Sequence, residues 1–120
     1  MSIRKGIFYE RELLHYLNDR GFSVCRIPSS GNYITPVDII AMKNGNVVCF
    51  ECKAWSKKPR LSKPKREMMV NWCNRAGARS FLAWRTRGKW LFLRMEDVER
   101  GNYADENWLE MENLLSLLTV

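Results

Sequence analysis

The chain has 120 residues, of which 46% are hydrophobic and 28% charged, with five Trp, five Phe and four Tyr. This composition predicts one globular domain with a modest core and excludes a disordered chain. No apolar run approaches the roughly 20 residues that cross a bilayer, and the N-terminus is too charged for a signal peptide. A cytoplasmic protein without a membrane partner is therefore expected.

The charge distribution favours a polyanionic partner. Residues 1–94 contain 19 basic and six acidic residues, whereas residues 95–120 contain one basic and seven acidic residues. Such asymmetry predicts a basic face that binds nucleic acid and an acidic end that is turned elsewhere. Residues 53–66 form the densest basic run, and a solvated surface is the alternative interpretation. The candidate phosphate contacts in this run are Lys57, Lys58, Arg60, Lys63, Lys65 and Arg66.

The first predicted element is a helix over residues 4–20. Ile7, Glu10, Leu14 and Leu17 share one face of it, and Gly21 marks its end. Glu10 is unusual because the helical period predicts an apolar residue at this position, facing the sheet. A carboxylate directed at a core needs a partner.

The remaining elements predict an α/β fold. A strand over residues 22–27 precedes a turn-rich loop and an apolar hairpin over 37–53. A second helix is expected at about 63–76, with an apolar stripe of Met69, Trp72, Cys73 and Ala76. Strands at 80–85 and 89–94 and a helix from about Asn107 complete the order α-β-β-β-α-β-β-α. This order predicts a single domain over residues 1–120 with a mixed central sheet flanked by helices, in which the acidic segment 95–120 is a dimer or capping element.

The hairpin brings charged residues together. Asn44-Gly45 favours a two-residue type I′ turn, for which opposed residue numbers sum to 89. Asp38 then faces Glu51, and Lys53 lies on the same side of the strand as Glu51.

Two opposed carboxylates destabilise a sheet unless a cation offsets their repulsion. Mg²⁺ fits because it binds one or two carboxylates together with waters and phosphate oxygens. In this hypothesis Asp38 and Glu51 hold the ion, the Cys52 carbonyl completes its shell and Glu10 anchors it from the helix. The alternatives are an edge-strand pair that reaches solvent and a Glu10 that pairs with Arg11 or Lys53.

The four cysteines give only a weak zinc signal. Cys49-x-x-Cys52 lacks a second pair, and in a strand its two thiols point to opposite faces. Cys25, Cys49, Cys52 and Cys73 are expected to be reduced core residues.

Asp38, twelve residues and then Glu51-Cys52-Lys53 form the D-x(n)-(D/E)-x-K pattern. The chain therefore resembles the restriction-endonuclease-like, PD-(D/E)xK nucleases, and among them the archaeal-type Holliday junction resolvases. The resemblance spans nearly the whole chain, through RKG-x(3)-ER, GFSVCRIPSSG, VDIIAMKNG, ECK and GNYADEN. One departure is Val37, which stands between Pro36 and Asp38 where the family has Pro directly before the Asp.

The resemblance implies a restriction-endonuclease-like fold and a dimeric endonuclease that resolves four-way DNA junctions by paired incisions, without a small-molecule substrate. It also implies one or two Mg²⁺ ions per site, with Mn²⁺ as a substitute, and action in an archaeal cell or in the host of a virus. Glu10, Asp38 and Glu51 become metal-site residues, Lys53 the catalytic lysine and Ser30 a serine required for cleavage. The implied DNA-binding residues outside the basic run are Arg4, Lys5, Arg11, Arg26, Ser29 and Ser30.

Two other functions remain open from the sequence. One is a different nuclease of the same superfamily, which cuts, repairs or nicks duplex or branched DNA. The other is a non-catalytic DNA-binding module, which the intact set of Glu10, Asp38, Glu51 and Lys53 disfavours. A zinc module is a more distant third.

Overall fold

The chain begins with a helix, three strands, a second helix and two further strands, as the hydrophobic periods predict. The computed structural model describes residues 3–28 and 32–118, and side chains from residue 5 onward within these ranges. The elements are α1 (Ile3–Asp19), β1 (Ser23–Arg26), β2 (Ile39–Lys43), β3 (Asn46–Lys53), α2 (Lys63–Ala76), β4 (Arg79–Thr86), β5 (Lys89–Arg94), α3 (Met95–Arg100), a 3₁₀ turn (Asp105–Asn107), β6 (Leu109–Glu110) and α4 (Met111–Leu118). Within the described ranges, none of the helices has the length and apolarity to span a membrane.

Six strands form one mixed sheet in the order β1-β2-β3-β4-β5-β6. Strands β3 and β4 are parallel, and the other neighbouring pairs are antiparallel. Because parallel neighbours need a crossover connection, α2 links β3 to β4 across one face of the sheet. The predicted α/β architecture with a mixed central sheet is thus confirmed.

The hairpin has the predicted turn and register. Asn44 and Gly45 have φ values of 51° and 80°, as a type I′ turn requires. Ile39 lies opposite Phe50, which satisfies the predicted sum of 89. Asp38 lies just outside the paired ladder, and its N–H donates to the Phe50 carbonyl at 2.9 Å. The expectation that Asp38 is strictly paired with Glu51 is therefore wrong, because Asp38 and Ile39 both approach Phe50, as at a β-bulge.

The sheet has a buried core on each face. On the first face, α1 and α4 cover a cluster that includes Leu13, Leu17, Phe50, Phe92 and Leu114. On the second face, α2 and α3 cover a cluster that includes Met69, Cys73, Leu82, Met95 and Val98. Alternate residues of β3 enter opposite clusters, so that the strand is buried on both faces before it ends at the site.

Individual helix faces differ from the sequence expectation. In α1 the fully buried residues are Leu13 and Leu17, whereas Leu14 only packs against the rim of the core. Leu13 and Leu17 are four residues apart, and Glu10, three residues before Leu13, lies on the same side of the helix. In α2, Ala76 is exposed rather than part of the stripe, because the helix ends there at Gly77.

The acidic segment contains elements that the sequence analysis missed. Helix α3 and strand β6 were not predicted, and α4 begins at Met111 rather than near Asn107. A six-residue helix and a two-residue strand are too short to show a hydrophobic period. Leu114 and Leu118 of α4 are buried against the sheet.

Candidate active site

Two buried carboxylates lie where the hairpin ends. In the described part of the chain, Asp38 and Glu51 are the buried charged residues, with exposed fractions of 7% and 5%. The backbone N–H of Cys52 donates to Asp38 Oδ2 at 2.7 Å. This bond ties the Asp38 side chain to β3, next to Glu51.

Two lysines flank Glu51. Lys65 Nζ lies 3.2 Å from Oε1, and Lys53 Nζ lies 3.3 Å from Oε2. Both lysines therefore bind the buried carboxylate as ion pairs, one at each oxygen. Burial, and next the Asp38 charge, raise the pKa of Glu51 to about 7 against the opposing effect of the two lysines.

Lys65 is a site residue that the sequence analysis placed only on the DNA-binding surface. Its side chain is 15% exposed, and its Nζ also donates to the Pro36 carbonyl at 2.9 Å. Lys65 therefore connects α2 both to Glu51 and to the segment before Asp38. No sequence signal separates Lys65 from Lys63 or Arg66, because the packing of α2 on the sheet decides which cation faces inward.

Glu10 pairs with Arg26. Arg26 Nη1 lies 3.4 Å from Glu10 Oε1, with side chains 19% and 17% exposed. Burial and the Asp38 charge raise the pKa of Glu10, whereas Arg26 and Lys53 oppose this shift. The helical period correctly predicted that Glu10 faces the sheet, but its partner is Arg26 rather than Arg11 or Lys53.

The carboxylates fit a hard cation in pairs rather than as a cluster of three. Across residues 3–28 and 32–118, no three His, Cys, Asp or Glu side chains are arranged to hold a metal ion together. Mg²⁺ commonly uses one or two carboxylates with waters and substrate phosphates. The buried carboxylates of Glu51 and Asp38, which repel each other, match that requirement.

Comparisons with known proteins decide the family. The family model described as archaeal Holliday junction resolvase (Hjc) matches residues 1–119. The chain belongs to this family. The resemblance inferred from the D-x(n)-(D/E)-x-K pattern and the enzyme class, a Holliday junction resolvase, are thereby confirmed.

Individual relatives of this resolvase agree. The chain is 37% identical over 91 residues to crossover junction endodeoxyribonuclease Hjc of Methanocaldococcus jannaschii, and this alignment covers 75% of this chain and 65% of that relative. It is 33% identical over 107 residues to the protein of the same name from Sulfolobus acidocaldarius, and this alignment covers 83% of this chain and 75% of that relative. The 1.6 Å structure of Archaeoglobus fulgidus Hjc, a Holliday junction resolvase, superposes with a TM-score of 0.76 at 24% identity, over 93% of this chain and 96% of that one. This last similarity supports the fold.

The basic run of the resolvase does not form one uniform surface. Lys57 is exposed, but Lys58 forms an ion pair with Asp105 of the acidic segment. The other residues predicted from this run have partners within the chain: Arg60 stacks on Tyr103 at 4.5 Å, Lys63 lies 3.9 Å from Glu67, and Arg66 donates to the Leu61 carbonyl at 3.4 Å. The acidic end is therefore folded partly against the basic run.

The other predicted DNA-binding residues lie near the N-terminus and the first loop. Arg11 is exposed on α1, and Lys5 Nζ lies 6.0 Å from the Tyr9 ring. Ser29 and Ser30 fall outside the described residues, and so does the side chain of Arg4.

The cysteines are structural in all but one case. Cys49 and Cys73 are buried on the second face, and Cys52 is buried on the first, as the alternation of a strand predicts. Cys25 is exposed, so its expected place in the core is wrong, because the outer strand β1 is only partly covered. All four are free thiols.

Proposed function

We propose that this resolvase cuts four-way DNA junctions in a Mg²⁺-dependent reaction in which Asp38 and Glu51 hold the ion. The observation that carries the proposal is the buried pair of carboxylates, Asp38 and Glu51, at the end of the hairpin. Two carboxylates brought together in the interior repel each other, and a hard cation offsets that cost. Mn²⁺ is expected to substitute for Mg²⁺, because it also prefers oxygen ligands.

The bound ion lowers the pKa of a water molecule and stabilises charge on the phosphate oxygens. The chain contributes the rest of the site. The Cys52 N–H fixes Asp38, and the Cys52 carbonyl is a third candidate ligand. Lys53, 3.3 Å from Glu51, orients the attacking water or stabilises the charge that develops on the phosphate.

Glu10 and Arg26 form the phosphate-binding part of the proposed site. Arg26 lies at the end of β1, where its guanidinium is oriented by Glu10. A guanidinium held by one carboxylate keeps donors that can bind a phosphate. We assign Glu10 to positioning Arg26, and propose direct contact with the metal as its second role. Arg11 is assigned to contacts with the same DNA strand.

Lys65 holds Glu51 in place. It links the Glu51 carboxylate to the Pro36 carbonyl, immediately before Val37, which is fully buried. The extra residue between Pro36 and Asp38 is thus accommodated in the core, and the Asp38 carboxylate still reaches β3.

We further propose that two copies act together on the two-fold symmetric junction, because a C₂ dimer presents two sites to opposite strands. The acidic segment and the strands that carry Trp84 and Trp90 are largely packed within the chain. The α4 helix buries Leu114 and Leu118, and Trp84 packs on Trp108 at 5.3 Å while Trp90 donates to Glu12. We therefore assign the acidic segment to capping the sheet rather than to the dimer contact.

The direct test compares cleavage of a four-way junction with cleavage of its linear duplex arms, with and without Mg²⁺. We expect cleavage of the junction only, only with Mg²⁺, and by paired nicks. Asp38→Asn should bind the junction but not cut it, whereas Asp19→Asn, at an exposed position of α1, should cut normally. Equal cleavage of the duplex arms, or near wild-type cleavage by Asp38→Asn, would contradict the proposal.

A further inference from the structure

A second concave site lies beside the carboxylate pair. It is a cleft of about 340 Å³ between the start of α1, the segment after β3 and the β4–β5 turn. We call it the aromatic cleft, and its side chains that bear on binding are Lys5, Tyr9, Trp55, Arg85 and Arg87. Among the described residues that line it, none is acidic. Its volume is at the lower end of the range of about 300–1,000 Å³ that is typical of ligand sites.

Trp55 forms the wall between the aromatic cleft and the active site. Lys53 Nζ lies 5.1 Å from the centre of the Trp55 ring. The Trp84 indole N–H donates to the Trp55 carbonyl at 2.8 Å and fixes the backbone there. The Trp55 side chain is nevertheless 38% exposed. The backbone at Trp55 is thus fixed, and its ring, which contacts the proposed catalytic lysine, stays accessible.

The opposite wall is a rigid stack. The Arg85 guanidinium lies over the Tyr9 ring at 4.9 Å. Glu12 accepts hydrogen bonds from Arg85 at 2.7 and 3.3 Å and from the Trp90 indole at 2.8 Å. These bonds lower the pKa of Glu12, so that the carboxylate stays charged and keeps Arg85 in place. The cleft is therefore formed before any ligand enters.

We propose that the aromatic cleft is a nucleotide subsite, in which the base of a nucleotide next to the scissile phosphate stacks on Trp55. The inference rests on the proposed function, since it needs DNA at Lys53. Aromatic side chains that alternate with cations are the usual platform for an unpaired base and its phosphate. Bases at the centre of a branched junction are the ones that leave a stack at least cost, as at other irregular positions of a duplex.

The test removes the base and the indole separately and together. Junctions that contain a single abasic residue, on either side of the scissile phosphate in turn, are cut by wild type and by Trp55→Ala. At one of the two positions, removal of the base should slow wild-type cleavage (kcat/KM) at least about fivefold, the fold-change that matches the lower end of measured stacking energies. The same removal should change cleavage by Trp55→Ala less than twofold, because the contact is already lost.

Three further measurements make the result specific. Trp55→Phe should restore most of the sensitivity to the base, and Met42→Ala, which removes an equally exposed apolar side chain near the hairpin turn, should cut like wild type. If the abasic residue slows cleavage by Trp55→Ala as much as cleavage by wild type, the two losses are independent, and the proposed stacking on Trp55 is wrong. Wild-type cleavage of the intact junction is measured in the same series, and its absence would instead refute the proposed function.

Discussion

Replacement of Glu51 by Gln should stabilise the metal-free protein while it abolishes cleavage. Burial and Asp38 raise the pKa of Glu51 from its ordinary value of 4.5 to about 7. The folded state then binds this proton more tightly than the unfolded chain does, so stability falls as the pH rises from about 4.5 to 7. At about 1.4 kcal/mol per pH unit, ionisation of Glu51 costs about 3 kcal/mol at pH 8. The neutral amide of the Glu51→Gln variant would avoid that cost at nearly the same side-chain volume.

The assay is urea unfolding of wild type and Glu51→Gln in EDTA, at a fixed protein concentration, from pH 4.5 to 8. The difference in unfolding free energy should grow by about 3 kcal/mol in favour of the variant across this range. Glu12→Gln is the matched control, and it should destabilise the protein as the pH rises. Arg85 lowers the pKa of Glu12, so the charge of Glu12 stabilises the fold above its ordinary pKa. A Glu51→Gln variant that is less stable than wild type at pH 8 would refute the reasoning, as would a difference that does not depend on pH.

Three further results are expected. Lys65→Ala should lower junction cleavage by about 10–100-fold, as loss of a supporting contact at a metal site does. Arg75→Ala, at an exposed position of the same helix, should lower it less than twofold, and both are measured as single-turnover rates. Lys57→Ala should reduce the log–log salt slope of junction binding by about 0.9, and Lys58→Ala by less because its charge is partly neutralised by Asp105; the measurement is a binding titration at four salt concentrations. Leu114→Ala should lower the unfolding free energy by about 2–5 kcal/mol, measured by urea unfolding, because the Leu114 side chain is fully buried between α4 and the sheet.

Each of these has a contradicting outcome. Equal rates for Lys65→Ala and Arg75→Ala would show that the ion pair to Glu51 does not position the site. An unchanged salt slope for Lys57→Ala would show that Lys57 contacts solvent rather than a DNA phosphate. A Leu114→Ala variant as stable as wild type would contradict the capping role of the acidic segment.

Local sequence patterns predict the helix and hairpin that support the site. Asn44-Gly45 defines the turn and the register of the hairpin, and alternation along β3 separates Cys49 from Cys52. Period and charge together identify Glu10 as a carboxylate directed toward the sheet. These features depend on residues close together in the chain, for which turn geometry and side-chain periodicity are sufficient.

The remaining features depend on tertiary packing. Nothing local shows that Lys65 rather than its neighbours reaches Glu51, since that contact is set by the seating of α2 on the sheet. The pairing of Glu10 with Arg26 depends in the same way on how α1 crosses β1. The shift of Asp38 off the ladder follows from a backbone hydrogen bond to Phe50, which a register rule does not anticipate.

Direct titration of a metal is the measurement that bears most closely on the central claim, that Asp38 and Glu51 hold a divalent cation. Mn²⁺ binding is followed by electron paramagnetic resonance in the absence of DNA, for wild type, Asp38→Asn, Glu51→Gln and the exposed-site control Asp19→Asn. We expect saturable binding by wild type and Asp19→Asn, and loss of that binding in both site variants. Mn²⁺ binding by Asp38→Asn and Glu51→Gln as tight as that of wild type would contradict the account.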